Sequence, residues 1–378
     1  MKEIVIAGYC RSPFAPAHKG ALKKVRADDL VAQTVKGLVE RTKVNPEKIE
    51  DLILGCAFPE GEQGFNLSRL IVFLAGLPLS VAGTTVNRFC GSSMQSIHMA
   101  AGAISCGAGE AFICAGVESM TRVPMTGFNP MPNPVLAKEY PQAYMGMGET
   151  AENVAAKYKI SREDQEKFAV HSQEKAAEAW RKGHLKDEIV PIENKGQVVA
   201  DDGCIRPDTS VEGLSGLRPA FKSDGSVTAG TSSPLTDGAA AVLVTSAEFA
   251  KENNLSVMAR VKSFAVGGCA PEIMGIGPVV ATKKALERAG LTVGDIDIIE
   301  LNEAFASQSI ACIQDLGLPL EKINIDGGAI ALGHPLGATG ARITGKAAAL
   351  LQREGKKYAL ATQCIGGGQG IATILEAV

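Results

Sequence analysis

The chain of 378 residues is 46% hydrophobic and 21% charged, a composition typical of a folded protein long enough for two or three domains. Its formal net charge of -3 and its 5% aromatic content give no indication of nucleic-acid binding. The nine cysteines include no CxxC pair, which argues against a disulfide framework or a zinc site and favours a reducing compartment.

The ends of the chain and its hydropathy predict a cytoplasmic location. Residues 1–8 have the pattern of a strand that runs into a turn, without the long apolar core of a signal peptide. No stretch reaches the ~18 apolar residues that a membrane-spanning helix needs. Residues 375–378 carry no peroxisomal address. We therefore expect a cytoplasmic protein without a membrane span.

The N-terminal part of the chain alternates between strand and helix patterns. Strand patterns cover residues 4–7, 51–55, 84–87 and 111–116, and helix patterns cover residues 27–41, 66–75 and the segment after Cys90. This alternation predicts an α/β fold with a mainly parallel sheet that is covered by helices on both faces.

Cys90 lies where a strand pattern gives way to a helix pattern, so the sequence places it at a helix N-terminus. The free N–H groups and the positive end of the helix dipole favour a thiolate there. Gly91, Ser92 and Ser93 are small and leave room for a substrate to approach the sulfur. The alternative is a buried, unreactive cysteine, which is the commoner state of a free cysteine.

The regular alternation then stops. Residues 118–148 are rich in Met, Pro, Gly and Asn without a sustained period, and irregular segments of that length are usually functional. A charged helix follows within residues 149–182, with Ser161 and Asp164 as an N-terminal cap and Gly183 after its end. We therefore divide the chain into an N-terminal half (residues 1–117 and 237–252), an inserted loop domain (118–236) and a C-terminal half (253–378).

The C-terminal half repeats the plan of the beginning of the chain. One constant shift pairs Glu40 with Glu287, Arg41 with Arg288, Ile49 with Ile296, Leu54 with Leu301, Ala57 with Ala304 and Phe58 with Phe305. We interpret the shared order of helix, turn, strand and turn as a duplication that gives two half-domains related by a pseudo-twofold axis. Chance matching is the competing explanation.

Three motifs of the C-terminal half each follow a predicted strand. They are Asn302-Glu303-Ala304-Phe305, the glycine-rich run 333–340 that contains His334, and the run 364–370 that begins with Cys364. A lone histidine before a proline is often a core residue, and a glycine-rich turn that leads into a strand is not a dinucleotide motif. Ligands bind at strand ends in open α/β sheets, however, so the set as a whole indicates a catalytic site.

These motifs resemble those of the thiolase family of acyl-CoA C-acyltransferases, in the same order and over the full length of the chain. The segment 87–95 around Cys90 belongs to the resemblance together with the three motifs above. The resemblance implies the thiolase fold, in which two similar βαβαβαββ halves form a five-layered α-β-α-β-α core with an inserted loop domain. It also implies a homo-oligomer, either a dimer or a tetramer, that uses coenzyme A and acyl-CoA as substrates, with no permanently bound cofactor and no metal.

The resemblance and the chemistry of the residue types assign the catalytic roles. Cleavage between the α-carbon and the β-keto carbon of a 3-oxoacyl-CoA needs a nucleophile, an acid for the departing enolate and stabilisation of two oxyanions. Cys90 would attack the ketone after His334 takes its proton, and Cys364 would protonate the enolate. His334 Nε2 and a water held by Asn302 would form one oxyanion site, and the N–H groups of Cys90 and Gly366 the other.

Further residues are assigned to coenzyme A by position. Ser233 and Arg206 are expected to contact it, Arg206 near the nucleotide end, and Met147, Phe221, Ala229 and Phe305 are expected to line the pantetheine tunnel. Phe221 and Phe305 are equally well explained as ordinary core residues. Glu303 is expected to orient its neighbours, since a carboxylate beside an enolate would oppose it unless it were paired.

Residues expected at the acyl end of the site differ between two activities of the thiolase family. The acetoacetyl-CoA branch typically carries His-Met-Gly where this chain has Gly146-Met147-Gly148, and Asn-Ala-Ser-Gly where it has Thr231-Ser232-Ser233-Pro234. Loss of an imidazole should open space for longer acyl chains. We therefore predict degradative thiolysis in fatty-acid β-oxidation, with other β-oxidation enzymes as partners, and retain biosynthetic acetoacetyl-CoA formation as the alternative.

Two other classes of protein fit the motifs less well. Ketoacyl synthases share the superfamily but use two active-site histidines, whereas the other four histidines, His18, His98, His171 and His184, lie outside any matching motif. A non-catalytic, lipid-binding member of the family would be expected to have lost a catalytic side chain, and none is missing.

Overall fold

The computed structural model describes residues 2–378 and contains one ten-stranded sheet and one two-stranded sheet. The strands are β1 (Ile4–Arg11), β2 (Ala15–Pro16), β3 (Asp51–Gly55), β4 (Ala82–Val86), β5 (Ala111–Ser119), β6 (Ile192–Asn194), β7 (Gln197–Val199), β8 (Thr236–Ser246), β9 (Ala259–Gly268), β10 (Ile298–Leu301), β11 (Tyr358–Ile365) and β12 (Gln369–Glu376). The helices are α1 (Ala27–Thr42), α2 (Leu67–Leu74), α3 (Ser92–Ser105), α4 (Pro134–Glu139), α5 (Met147–Tyr158), α6 (Arg162–Arg181), α7 (Val211–Ser215), α8 (Ala247–Glu252), α9 (Gly277–Ala289), α10 (Ala306–Leu316), α11 (Ala329–Leu332) and α12 (Thr339–Glu354).

The large sheet has the same plan in both halves of the chain. Its order is β10-β11-β12-β9-β1-β8-β5-β3-β4, with the short β2 beside β8. The two halves meet where β1 pairs with β9. From there, the N-terminal half has the antiparallel pairs β1–β8 and β8–β5, followed by the parallel pairs β5–β3 and β3–β4. The C-terminal half has the antiparallel pairs β9–β12 and β12–β11, followed by the parallel pair β11–β10. A parallel bridge between Ile299 and Ile323 takes the place in the C-terminal half that β4 has in the N-terminal half. This repeated order agrees with the predicted duplication.

The expectation of a mainly parallel sheet is wrong. The pairs β3–β4, β3–β5 and β10–β11 are parallel, whereas the other pairs of the large sheet are antiparallel. Alternation along the chain does not determine which strands become neighbours, because β1 lies between β8 and β9, which follow it at long range. Strands β11 and β12 are also joined by a tight glycine turn rather than by a crossover helix.

Three apolar cores give the molecule its layers. One lies between the N-terminal strands and α1 and α2, and another between the C-terminal strands and α9 and α10. The third lies between both sets of strands and encloses α3 and α12, so α12 is buried on nearly all sides. The Ser93 hydroxyl accepts the Ala341 N–H at 2.8 Å, which brings the starts of these two central helices together.

The segment between β5 and β8 contains α4 to α7 and the two-stranded sheet, and buried ion pairs attach it to the core. Arg11 of β1 bonds to Glu188 and to Asp202, in each case at 2.7 Å. The predicted cap of α6 is confirmed, since the Ser161 hydroxyl accepts the Asp164 N–H and the Asp164 carboxylate accepts from Ser161.

The domain boundaries given above stay a prediction. Within residues 2–378 no helix is both long enough and apolar enough to cross a membrane.

Candidate active site

Cys90 lies in the 3-10 turn Phe89–Gly91, immediately before α3 begins at Ser92. Phe89 has a φ of +43°, a conformation that aromatic residues rarely adopt. The Asn87 side chain accepts the Phe89 N–H at 2.8 Å, and the Ser92 hydroxyl donates to the Phe89 carbonyl at 2.6 Å. These bonds hold a strained turn at the nucleophile, and strain of this kind is concentrated at functional sites.

Two backbone N–H groups, those of Gly366 and Cys90, lie close enough to the Cys90 sulfur to lower the pKa of its thiol. Gly366 begins the turn between β11 and β12, in which Gly367 and Gly368 have φ of +79° and +81°. A Cβ on Gly366 would lie in van der Waals contact with the sulfur of Met147, at 3.4 Å, and with the ring of Phe89, at 3.6 Å. The structure thus brings together the two donors that were predicted for one oxyanion site.

The predicted stabilisation of a Cys90 thiolate by the helix end is wrong for the free protein. Burial raises the pKa of Cys90 to about 12, although the N–H groups of Gly366 and Cys90 lower it, and the Glu118 carboxylate raises it further. A helix terminus typically contributes only about 0.3–1 kcal/mol to a charge, which is too little to offset burial. Cys90 is therefore a thiol at neutral pH and needs a base.

His334 has the tautomer that a general base requires. The Thr339 hydroxyl donates to the Pro335 carbonyl at 3.0 Å, so it accepts from His334 Nδ1, which lies 2.6 Å away. Nδ1 carries the proton and Nε2 has the free electron pair. Burial, assisted by the charge of Arg342, lowers the pKa of His334 to about 3, which keeps the ring neutral at neutral pH.

Asn302 lies next to His334, with its Nδ2 3.4 Å from His334 Nε2. Its main-chain N–H donates to the Thr362 carbonyl at 3.0 Å, which fixes it at the end of β10. Asn302 Oδ1 is buried and has no hydrogen-bond partner within residues 2–378. A buried acceptor without a protein partner fits the predicted water at this position.

Cys364 lies in β11 opposite Gly370 of β12 and is buried. Burial raises the pKa of the Cys364 thiol well above its usual range, and the nearby Cys90 sulfur raises it further. The adjacent Gln363 side chain donates to the Cys90 carbonyl. The structure therefore brings together two cysteines that are distant in the sequence.

The residues assigned to the pantetheine tunnel partly surround Cys364. Met147 and Phe305 pack in the apolar cluster that contains Cys364. Phe221 is 43% exposed, and its ring meets the ring of Phe305 edge to face with centroids 5.9 Å apart. The Ser233 hydroxyl donates to the Ala304 carbonyl at 3.1 Å, beside the same cluster. These positions are compatible with a tunnel that leads to Cys364.

Arg206 and Ala229 are exposed. The Arg206 N–H donates to the Gln173 side chain at 2.7 Å, and Ala229 begins the 3-10 turn Ala229–Thr231. Neither residue belongs to the apolar cluster that the described chain forms around Cys364. Their contact with coenzyme A stays a prediction.

Glu303 is buried and accepts three hydrogen bonds. They come from the Ser172 hydroxyl at 2.6 Å, the Asn324 side chain at 2.8 Å and the Ile330 N–H at 3.2 Å. The carboxylate thus holds the chain that leads from Asn324 towards His334, which agrees with an orienting role.

Sequence reasoning missed three side chains that support the site, namely Thr339, Gln363 and Glu118. Thr339 lies inside the histidine motif and Gln363 directly precedes Cys364, so both were visible as polar residues beside recognised motifs. Glu118 is the single charged residue of the otherwise uncharged strand β5, which was the available signal for it.

Comparisons with known proteins agree over the whole chain. Residues 4–248 match the family model described as thiolase, N-terminal domain, and residues 255–377 match thiolase, C-terminal domain. The chain is 49% identical over 389 residues to the 3-ketoacyl-CoA thiolase of Bacillus subtilis (strain 168), and 50% identical over 386 residues to that of Aliivibrio fischeri, with both chains fully covered in each case. The structure of human mitochondrial 3-ketoacyl-CoA thiolase in complex with CoA matches at a TM-score of 0.92 and 40% identity, covering 100% of this chain and 98% of that one.

Thr339→Val should slow the alkylation of Cys90 by iodoacetamide about 10-fold or more at neutral pH. Valine keeps the shape of threonine but accepts no hydrogen bond, so the imidazole proton is free to move to Nε2, where it prevents transfer from Cys90. The rate is measured by mass mapping of the Cys90 peptide over time. Thr339→Ser is the control and should react at nearly the original rate. Equal rates in the two variants would contradict the role of this hydroxyl.

Proposed function

The chain belongs to the thiolase family, and on that premise we propose that it uses coenzyme A to cleave 3-oxoacyl-CoA into acetyl-CoA and a shortened acyl-CoA. The observation that carries the proposal is the meeting of two thiols, Cys90 and Cys364, in one site beside a backbone N–H of Gly366. Cleavage of a carbon–carbon bond next to a ketone needs a nucleophile and a separate proton carrier. Two neighbouring thiols supply both.

The first half of the reaction forms an acyl-enzyme. Cys90 gives its proton to Nε2 of His334, and the sulfur adds to the ketone carbon of the substrate. The bond between that carbon and the α-carbon then breaks, and its electron pair passes to the enolate of acetyl-CoA. Cys364 donates its proton to the α-carbon, acetyl-CoA leaves, and the shortened acyl group stays on Cys90.

The second half restores the enzyme. A new coenzyme A gives its thiol proton to the Cys364 thiolate and attacks the thioester on Cys90. The acyl group passes to coenzyme A, and the Cys90 sulfur takes back the proton held by His334. Every proton is thereby returned, and the same steps in reverse give Claisen condensation.

Two sites on the protein are suited to the oxyanions of these steps. The N–H groups of Cys90 and Gly366 lie beside the sulfur, so they are suited to stabilise an oxyanion on a carbon bonded to it. Nδ2 of Asn302 lies beside His334, where the thioester oxygen of the enolate would receive hydrogen bonds. Loss of one such donor commonly costs about 10²- to 10³-fold in rate.

Separate apolar surfaces support the two ends of the substrate. Phe58, Met120 and Leu336 pack beside Cys90, and the ring of Phe89 lies 5.8 Å from that of Phe58. We assign this surface to the acyl chain and the cluster around Cys364 to pantetheine. Met147 lies over Gly366 with no imidazole beside it, which favours the degradative activity over acetoacetyl-CoA formation. Coenzyme A and acyl-CoA thus serve as substrates, without a permanently bound cofactor.

A homo-oligomer is supported by one edge of the large sheet. Strand β4 ends the sheet and is partly exposed along its length. Phe65, Leu79 and Phe73 nearby are 93%, 76% and 50% exposed. Edge strands next to apolar surface are covered in stable proteins, and a second copy of the chain would cover this one.

We also propose a cytoplasmic location and association with other enzymes of β-oxidation. All nine cysteines are free thiols, as expected in a reducing compartment. Association with enzymes that supply 3-oxoacyl-CoA follows from the reaction, because the substrate must come from oxidation of a 3-hydroxyacyl-CoA.

The test of the proposed function is the site of acylation. Incubation with a 3-oxoacyl-CoA, followed by mass mapping, should place the acyl group on Cys90, because that sulfur faces the N–H groups and the base. Cys90→Ser should carry no acyl group at any cysteine. An acyl group on Cys364 in the unmodified chain would contradict the assignment.

The chain-length preference tests the degradative activity. Catalytic efficiency in thiolysis should be sustained or rise when one or two methylenes are added to acetoacetyl-CoA, because the acyl surface is apolar and no imidazole closes it. Phe221→Ala, on the pantetheine side, is the control and should raise the KM for coenzyme A without changing the order of acyl chains. A maximum at acetoacetyl-CoA with a steep fall for longer chains would support the biosynthetic alternative instead.

A further inference from the structure

Glu118 is a buried carboxylate at the end of β5 that the proposed reaction does not use directly. It is 1% exposed and accepts five hydrogen bonds. The donors are the Ala57 N–H at 2.9 Å, the Phe58 N–H at 3.2 Å, the Gln63 side chain at 2.8 Å, the Gly337 N–H at 2.9 Å and, more weakly, the Cys56 thiol at 3.8 Å. No ion pair with Glu118 is formed within residues 2–378, so these donors replace water around the charge.

The donors favour the carboxylate form of Glu118 against the effect of burial. Burial raises the pKa of Glu118, and the N–H group of Ala57, the Gln63 side chain and the N–H group of Gly337 are among the donors that lower it. The backbone N–H groups and the Gln63 NH₂ group can only donate, so a protonated acid would place its own proton against one of them. The geometry is therefore that of a bound anion, with donors on both oxygens.

The backbone donors of Glu118 lie on two loops, one that contacts the Cys90 turn and one that carries His334. Ala57 and Phe58 follow β3, and the Ala57 carbonyl accepts from the Asn87 side chain at 3.0 Å. The same side chain accepts the N–H of Phe89, the residue before Cys90. A continuous chain of hydrogen bonds thus leads from Glu118 to the nucleophile.

The second loop carries the base. Gly337 lies three residues after His334, in the 3-10 turn Leu336–Ala338 that packs against the turn Phe89–Gly91. One carboxylate is therefore bonded to the loop of the base and, through Asn87, to the turn of the nucleophile. The first loop belongs to the N-terminal half of the chain and the second to the C-terminal half.

We propose that Glu118 is a positioning residue that fixes the Cys90 turn relative to the His334 loop and so sets the geometry of proton transfer between them. The proposal rests on the roles given above to Cys90 and His334. Misplacement of reacting groups by about 1 Å can cost about 10²-fold in rate, so a single anchor of this kind has a measurable effect.

Glu118→Gln is the first test, because the amide has one acceptor oxygen and an NH₂ group that would face backbone N–H donors. The variant should lose about 10- to 100-fold in kcat for thiolysis, while the KM for coenzyme A stays within about 2-fold. A role in stability alone would lower the amount of active enzyme without lowering the kcat of each folded molecule, which active-site titration with an acyl-CoA measures.

A second readout uses the charge of Glu118. The titratable groups that face Cys90 are Glu118 and Cys364, with His334 on the adjoining loop, and Glu118 raises the pKa of the Cys90 thiol. Alkylation of Cys90 in Glu118→Gln should therefore show a lower apparent pKa than in the unmodified chain. Glu166→Gln is the matched control, since it removes another buried carboxylate, one that pairs with Arg162 on α6, and should leave this titration unchanged.

Asn87→Ala keeps the proposal testable if Glu118→Gln does not fold. Asn87 is exposed, so its replacement should be tolerated, and it breaks the hydrogen-bond chain between Ala57 and Phe89. The expected result is again a fall in kcat without a change in the KM for coenzyme A. An unchanged kcat in a folded Glu118→Gln, or in Asn87→Ala, would overturn the positioning role. Absence of acylation at Cys90 in the unmodified chain would instead overturn the proposed function.

Discussion

Enclosure of Cys90 and His334 by the surrounding protein is the constraint on which the proposed site depends. Burial disfavours charge, and it therefore raises the pKa of Cys90 to about 12 and lowers the pKa of His334 to about 3. Proton transfer from thiol to imidazole creates two charges in this environment, so it becomes favourable only as the sulfur bonds to a carbonyl carbon and the negative charge moves to oxygen. The N–H groups of Cys90 and Gly366 then receive that charge. The Cys90 thiol therefore depends on His334 to accept its proton when it reacts.

The fold places the Cys90 turn and the His334 loop where the two halves of the chain meet. The Cys90 turn leads into α3 and the His334 loop leads into α12, and these helices pack together in the central layer. Gly340 at the start of α12 lies against Met94 of α3, where a side chain would collide with the Met94 backbone. Close approach of the helix ends brings nucleophile and base together. Strand β11 adds Cys364 from the C-terminal half.

Much of this arrangement could be predicted from the sequence, because the residues proposed as catalytic lie in short motifs at strand ends. The structure brings Cys90, His334, Asn302 and Cys364 of those motifs together, and the repeated sheet order agrees with the duplication. The predicted parallel direction of most strands was wrong, because β1 pairs with β8 and β9, which are distant in the chain. The predicted thiolate form of Cys90 was also wrong. Its position at a helix start can be read from the local sequence, whereas the raised pKa of Cys90 results from burial by the whole fold. Glu118 was missed because its partners lie on loops remote in sequence.

The separation of roles between the two cysteines is the central claim, and Cys364→Ser tests it most directly. Serine keeps the shape but is a much weaker acid than a thiol, so proton transfer at carbon should slow by orders of magnitude. Exchange of labelled coenzyme A into an acyl-CoA without a 3-oxo group needs only acyl transfer to and from Cys90, and it should largely survive. The measurement is therefore the pair of rates, thiolysis and exchange, in the folded variant. The account predicts a large loss of thiolysis with exchange retained, and equal loss of both would contradict it.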